Sequence, residues 1–171
     1  MTEKIIVLSD SHRNQILLRQ VLRQENSLTA VFHLGDTYED LDENPDLTTG
    51  KNLTRVPGIF HPQYLDKTLP AVILKDILNW KILLVHCLKD VAGCLENSDL
   101  VLYGHTHNWE FHQEKGRYFL NPGHLKSYED RGRKPSYAIL LIEENQISVQ
   151  IKDLKKNILF EHKIHRKAEE K

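Results

Sequence analysis

Cysteine is nearly absent: Cys87 and Cys94 are the only two in 171 residues. Their separation matches neither a metal-binding pair nor a disulfide framework, so both are expected to be reduced and buried. Long apolar runs are missing too. The opening "MTEKIIVLSD" has too short an apolar stretch for a signal peptide, and no later run could cross a bilayer. A cytoplasmic protein without a membrane partner is the expectation. Charge of one sign is not in excess either: 23 Lys and Arg against 24 Asp and Glu give a formal net charge of -1. That balance argues against a protein that holds nucleic-acid backbones through bulk charge. The only dense basic stretch, "RGRK" at 131–134, reads either as a rim that meets phosphate or as solvated charge. Internal repeats and low-complexity linkers are also lacking.

What is present suits one domain, residues 1–171, with a real hydrophobic core: 40% of residues are hydrophobic and 27% charged. Strand candidates are "KIIVLSD" (4–10), "AVFHLGD" (30–36), "NLTRV" (52–56), "AVILKDI" (71–77), "KILLVH" (81–86), a strand over 100–103 and "YFLNPG" (118–123). "NQILLRQVLRQE" (14–25) places Leu17, Leu18, Val21 and Leu22 on one helical face. "TYEDLDENPD" (37–46) reads as an acidic loop, and "LKDVAGCLEN" (88–97) as a short helix weakened by Gly93. The last third, 137–164, reads as three strands joined by turns at 144–146 and 155–157. A βα-alternating first half with an antiparallel tail implies a mixed α/β architecture, with two packed sheets as one form of it.

The chemistry sits at strand ends. The first strand ends in Asp10-Ser11-His12, the second in Gly35-Asp36, "KILLVH" in His86, and "LVLYGHTH" in His105 and His107. If the backbone stays extended, His105 and His107 face one way. Ligands of open α/β sheets bind outside the carboxyl ends of the strands. Six carboxylate and imidazole groups at one rim would be costly to hold without a cation. Mixed nitrogen and oxygen ligands fit Mn²⁺, Fe²⁺, Ni²⁺ or Zn²⁺. Taken singly, each residue has an ordinary use: Asp10 and Asp36 as helix N-caps, any histidine as a packed or solvated side chain. The joint order D-x-H, G-D, strand-terminal His and G-H-x-H outweighs those uses.

"SDSHRN", "HLGD", the His of "LLVH", "YGHTH" and "NPG" resemble the motif series of the calcineurin-like metallophosphoesterases, closest to their small, cap-less bacterial and archaeal phosphodiesterase branch. The motifs run from Asp10 to Gly123. The resemblance implies a four-layer αββα sandwich of two mixed β-sheets flanked by helices. It implies two divalent ions, manganese first, with nickel, iron or zinc as alternatives. By position, Asp10, His12, Asp36 and His107 would hold one ion; Asp36, His86 and His105 would hold the other. A metal-activated hydroxide would then hydrolyse a small phosphoester, most specifically a phosphodiester, without a covalent enzyme intermediate.

Three positions depart from the family pattern. Ile59, in "VPGIFHPQY", stands where the family has a metal-binding asparagine. His61, two residues on, is either a ligand, a proton donor to the leaving group, or a loop histidine packed by Pro62. Arg13 replaces a glycine and either meets substrate phosphate or is solvated. His124 replaces a serine after "NPG", as a substrate-facing acid–base group or a plain loop residue. The lost asparagine keeps a second class of function open, a binding scaffold, since one eukaryotic branch of the fold serves as an interaction surface. A DNA nuclease is the least supported of the three.

Overall fold

The apolar run "IIVL" at residues 5–8 is buried on both faces, which is what a central strand of a sheet covered on both sides requires. In the computed structural model, which describes residues 1–91 and 93–166, this run forms strand β1 (Glu3–Leu8). Ile5 and Val7 point into a core between two sheets, and Ile6 and Leu8 point outward. Helix α1 (Gln15–Gln24) closes the outer side with Leu17, Leu18, Val21 and Leu22, the face that its apolar spacing predicts. Asn14 caps it by accepting from Leu17 N–H at 3.1 Å. Asp10 and Asp36 therefore cap no α-helix.

β1 pairs in parallel with β2 (Ala30–His33), which pairs in parallel with β3 (Asn52–Arg55). The second sheet begins with β4 (Val72–Ile77), antiparallel to β5 (Trp80–Val85). β5, β6 (Leu100–Leu102) and β8 (Arg117–Asn121) run parallel, and β7 (Glu110–Glu114) is antiparallel to β8. β9 (Ser136–Ile142), β10 (Gln146–Asp153) and β11 (Ile158–His165) return to the first sheet as an antiparallel meander beside β1. The orders are β11-β10-β9-β1-β2-β3 and β4-β5-β6-β8-β7. Ile5, Val7 and Phe32 meet Ile82, Leu84 and Leu102 between the sheets. Leu83, Val85 and Val101 form a third core on the far side, under Val91. This is the expected sandwich of two mixed sheets, with few helices over it.

Four expectations are corrected. The stretch 88–97 makes no α-helix; it holds two short 3₁₀ segments, Leu88–Val91 and Leu95–Asn97. The acidic stretch 37–46 is not all loop, because Tyr38–Leu41 is a 3₁₀ turn and Pro45–Thr48 a helical turn. β7 lies outside the expected strands: "EFHQE" has four polar residues in five and lies at a sheet edge, where apolar alternation is not needed. Both cysteines are free as expected, but neither is buried; Cys94 is exposed in the turn between the 3₁₀ segments and Cys87 is half-buried.

Candidate metal centre

All six parallel strands, three in each sheet, end at one rim, and the chain leaves each of them in an irregular turn. There Asp10 N–H donates to the Gly35 carbonyl within the six-stranded sheet and Gly104 N–H to the His86 carbonyl within the five-stranded one, and the two sheets are joined where His105 N–H donates to the Asp10 carboxylate at 3.0 Å. The last contact needs Gly104, since a Cβ there would overlap Ser9 Oγ and lie 2.9 Å from Asp10 Oδ2. Asp10, His12, Asp36, His105 and His107 all have positive φ, between 46° and 71°. Asp and His are among the non-glycine residues that enter this region most readily. The expectation of an extended His105–His107 is thus corrected: β6 ends at Leu102, and Thr106 N–H folds back to the Gly104 carbonyl at 2.8 Å. A turn, not strand periodicity, aims the two rings. Asn121 of "NPG" braces that turn through Nδ2–H bonds to the Gly104 carbonyl and Thr106 Oγ1, both 3.0 Å.

The turns bring Asp10, His12, Asp36 and His107 together, one ligand atom from each lying within 4.8 Å of the others. Asp36 Oδ2 is 2.5 Å from His12 Nε2 and 3.8 Å from His107 Nε2, which is 3.3 Å from Asp10 Oδ1. The other Asp36 oxygen, Oδ1, faces His86 Nε2 at 3.4 Å. His86 Nδ1–H donates to the Leu34 carbonyl at 2.7 Å. Its Nε2 therefore carries a lone pair, is buried, and has no hydrogen-bond partner. A lone pair facing a carboxylate is repulsive unless a cation lies between them, so the residues fit a divalent ion. His105 is exposed, and its ring packs edge-on against His86 with centroids 5.2 Å apart.

The electrostatics point the same way. Burial would raise the Asp36 carboxyl, but hydrogen bonds from His107 and His12 hold it well below the usual carboxylate range. Bonds to Asp10 and Asp36, with a further one to Asp130, raise His107 to about 10.

The remaining expected residues lie around this centre. A cleft of about 300 Å³ beside it is lined by His12, Arg13, Asp36, Glu39, Phe60 and His61, among others. The Arg13 side chain is exposed there. His61 is outside the four-residue cluster, and both its ring nitrogens are engaged. Nδ1 accepts from Gln63 N–H at 3.2 Å and Nε2–H donates to Glu39 at 2.8 Å. His124 is fully buried behind His107, ring centroids 5.6 Å apart, and its Nε2–H donates to the Arg133 carbonyl. Burial lowers its pKa.

Two features have no signal in the motifs. His107 Nδ1–H donates to Asp130 at 2.7 Å. Beneath the first turn, fully buried His33 donates from Nε2 to Ser11 Oγ at 2.8 Å, and Ser11 donates to Asp40 at 2.5 Å.

The sequence model of the calcineurin-like phosphoesterase superfamily domain matches residues 4–145. The chain belongs to that superfamily. No curated protein matches it in sequence. Among solved structures, a conserved protein of Streptococcus pneumoniae TIGR4, described as a predicted phosphoesterase, is 24% identical with a TM-score of 0.72, over 97% of this chain and 99% of that one. Yfce, a phosphoesterase from E. coli, is 19% identical with a TM-score of 0.69, over 93% and 98%. Vps29 from Entamoeba histolytica, complexed with zinc, is 21% identical with a TM-score of 0.67, over 95% and 98%. These likenesses show the fold, and the family uses divalent metals.

Proposed function

We propose that this superfamily member is a metal-dependent phosphodiesterase with a dinuclear centre bridged by Asp36, the whole chain acting as one domain. The observation that carries the reading is the division of the Asp36 carboxylate. One oxygen faces His12 and His107, and the other faces the lone pair of His86. Asp10, His12, Asp36 and His107 would hold one ion, and Asp36, His86 and His105 the other. When bound, two such ions supply Lewis acidity toward a phosphate and a water of lowered pKa. Manganese is the first choice, with nickel, iron or zinc as alternatives. The zinc complex of the E. histolytica Vps29 supports a fold that accepts a divalent ion.

The chain's own groups would then handle the substrate. Exposed Arg13 beside His12 meets a non-bridging phosphate oxygen. His61 lines the cleft beside Glu39 and would donate to the departing oxygen in its imidazolium form, which leaves a neutral ring after the transfer. His124 acts from behind, packing His107 in place. No capping domain is present among the described residues, and the cleft suits a small phosphoester. Neither nucleic acid nor membrane is expected as a partner. Among the described residues no helix is long and apolar enough to cross a membrane, and the cytoplasm is the proposed compartment.

A binding scaffold is the second reading. Ile59 stands where the family's asparagine ligand belongs, and the protein shares its fold with Vps29. Metal analysis of purified protein, with a bis-aryl phosphate assay across Mn²⁺, Ni²⁺, Zn²⁺ and Mg²⁺, separates the two. Metal-dependent diester turnover is expected. Bound ion with no turnover on mono- or diesters favours the scaffold.

A further inference from the structure

We infer that Asp130 is a positioning residue of the metal centre: it holds the Nδ1 proton of His107 and so leaves Nε2 as the nitrogen that takes an ion. The inference rests on reading the cluster as a metal centre and adds a residue outside the ligand set. His107 Nε2 points to Asp10 and Asp36, at 3.3 and 3.8 Å. Asp130 Oδ2 lies 2.7 Å from the opposite ring nitrogen, so it cannot share the same ion. Its other oxygen is taken by Lys126 Nζ at 2.9 Å, and the side chain is 11% exposed. The carboxylate is thus fixed from both sides, and one of those sides is a ligand ring.

The backbone around it is fixed as well. Asp130 and Arg133 exchange both N–H···O bonds at 2.9 Å, closing a hairpin over Arg131 and Gly132. The Arg133 guanidinium donates to the Thr106 carbonyl, one residue from His107, and the Arg133 carbonyl accepts from buried His124. The hairpin is therefore tied to the His105–His107 turn at one point besides the Asp130 bond, and to His124, whose ring packs against His107. This explains how a turn without regular secondary structure holds a ligand ring in one orientation. A carboxylate on the far nitrogen also makes an imidazole a better donor to a cation. The basic stretch "RGRK" gains a structural reason: Asp130 precedes it, and Arg133 within it anchors the turn.

Calorimetric titration of Zn²⁺ into wild type, Asp130→Ala and Asp130→Asn, with imidazole proton NMR of the zinc-loaded proteins and diester turnover in parallel, tests this. Asp130→Ala is expected to weaken zinc binding by about 10–100-fold. The wild type should show a His107 Nδ1–H resonance that is downfield and slow to exchange; in Asp130→Ala it should be lost. Asparagine keeps an acceptor without the charge, so Asp130→Asn should fall between them, with the resonance present but moved upfield. A folded Asp130→Ala that binds zinc as tightly as wild type overturns the inference. If Asp130→Ala does not fold, unchanged affinity and an unchanged resonance in Asp130→Asn overturn it. A wild type that binds no zinc overturns it together with the metal reading. Weakened binding in Asp130→Ala, with no turnover in any protein, supports the inference and sinks only the hydrolase reading.

Discussion

At the scale of single residues, His107 carries a consequence for pH. Its pKa, raised to about 10 by the carboxylates around it, means that it is protonated near neutrality before an ion arrives. An ion must displace that proton, so affinity should rise about tenfold per pH unit for each proton released, up to about pH 10. Calorimetry at pH 6, 7 and 8 in buffers of different ionisation enthalpy reads both the slope and the proton count. A pH-independent affinity would contradict Nε2 ligation by His107. Gly58 is a second case. A Cβ on it would come 2.7 Å from Asp36 Cα and 2.8 Å from Asp36 N, which are backbone atoms that cannot rotate away. Gly58→Ala should therefore cost about 1–3 kcal/mol of stability by overpacking and weaken ion binding, both read by denaturant titration with and without Zn²⁺. This accounts for a glycine kept before Ile59 where the asparagine is not: the glycine serves Asp36, whatever follows it.

Elements were legible in the sequence where burial imposed a period. The apolar face of α1 and the alternation in β10 are readable because one side of each must leave water, and the apolar run of β9 is readable because both its faces are buried. β7 carries no such pattern because an edge strand need not alternate, and the segment 88–97 imitates a helix because its apolar residues cover a sheet face in short 3₁₀ pieces. For the site, the residues at the strand ends could be named, but the turns that aim them could not. Positive φ at five of those positions leaves no periodicity to read. Asp130 and Asp40 have no signal in the sequence because each acts through hydrogen bonds to a distant segment, Asp130 with His107 and Asp40 with Ser11, Arg13 and Gln15. The His33–Ser11–Asp40 chain under the first turn gives a test at this scale. Burial lowers His33 to about 4, below its unfolded value of about 6.5, so the unfolded chain binds the extra proton between those values. Stability from this group is full above pH 6.5 and falls as pH drops toward 4, by about 1.4 kcal/mol per unit. Urea unfolding of wild type and His33→Gln at pH 7.5 and 4.5 should show the steeper acid loss in wild type. Ser11→Ala, which leaves the His33 donor without its acceptor, should cost about 1–3 kcal/mol at pH 7.5.

For the whole molecule, the seam between the sheets is the feature with consequences. Asp10, His12 and Asp36 follow strands of the six-stranded sheet; His86, His105 and His107 follow strands of the five-stranded one. Ions held by both sets would fasten the two sheets at the rim, where no apolar core is available because the rim is polar. In the unfolded chain the six groups lie in four segments well separated in sequence, so ions should bind the folded form almost alone. Free ion at a hundredfold over its dissociation constant then adds about 2.7 kcal/mol of stability. Wild type should therefore melt several degrees higher with saturating Zn²⁺ or Mn²⁺ than with a chelator. Hydrogen exchange should slow together in the turns after β1, β2, β5 and β6. Asp36→Asn, which removes the carboxylate facing both sets of imidazoles, should melt at the same temperature with or without the ion while keeping the wild-type circular dichroism. The two readouts separate alternatives that turnover alone cannot. A single ion held only by the Asp10–His12–Asp36–His107 group would protect the turns after β1, β2 and β6 and leave the turn at His86 exchanging as before. That pattern would remove the dinuclear centre while leaving the metal site standing, and it would make Ile59 the residue that emptied the second position.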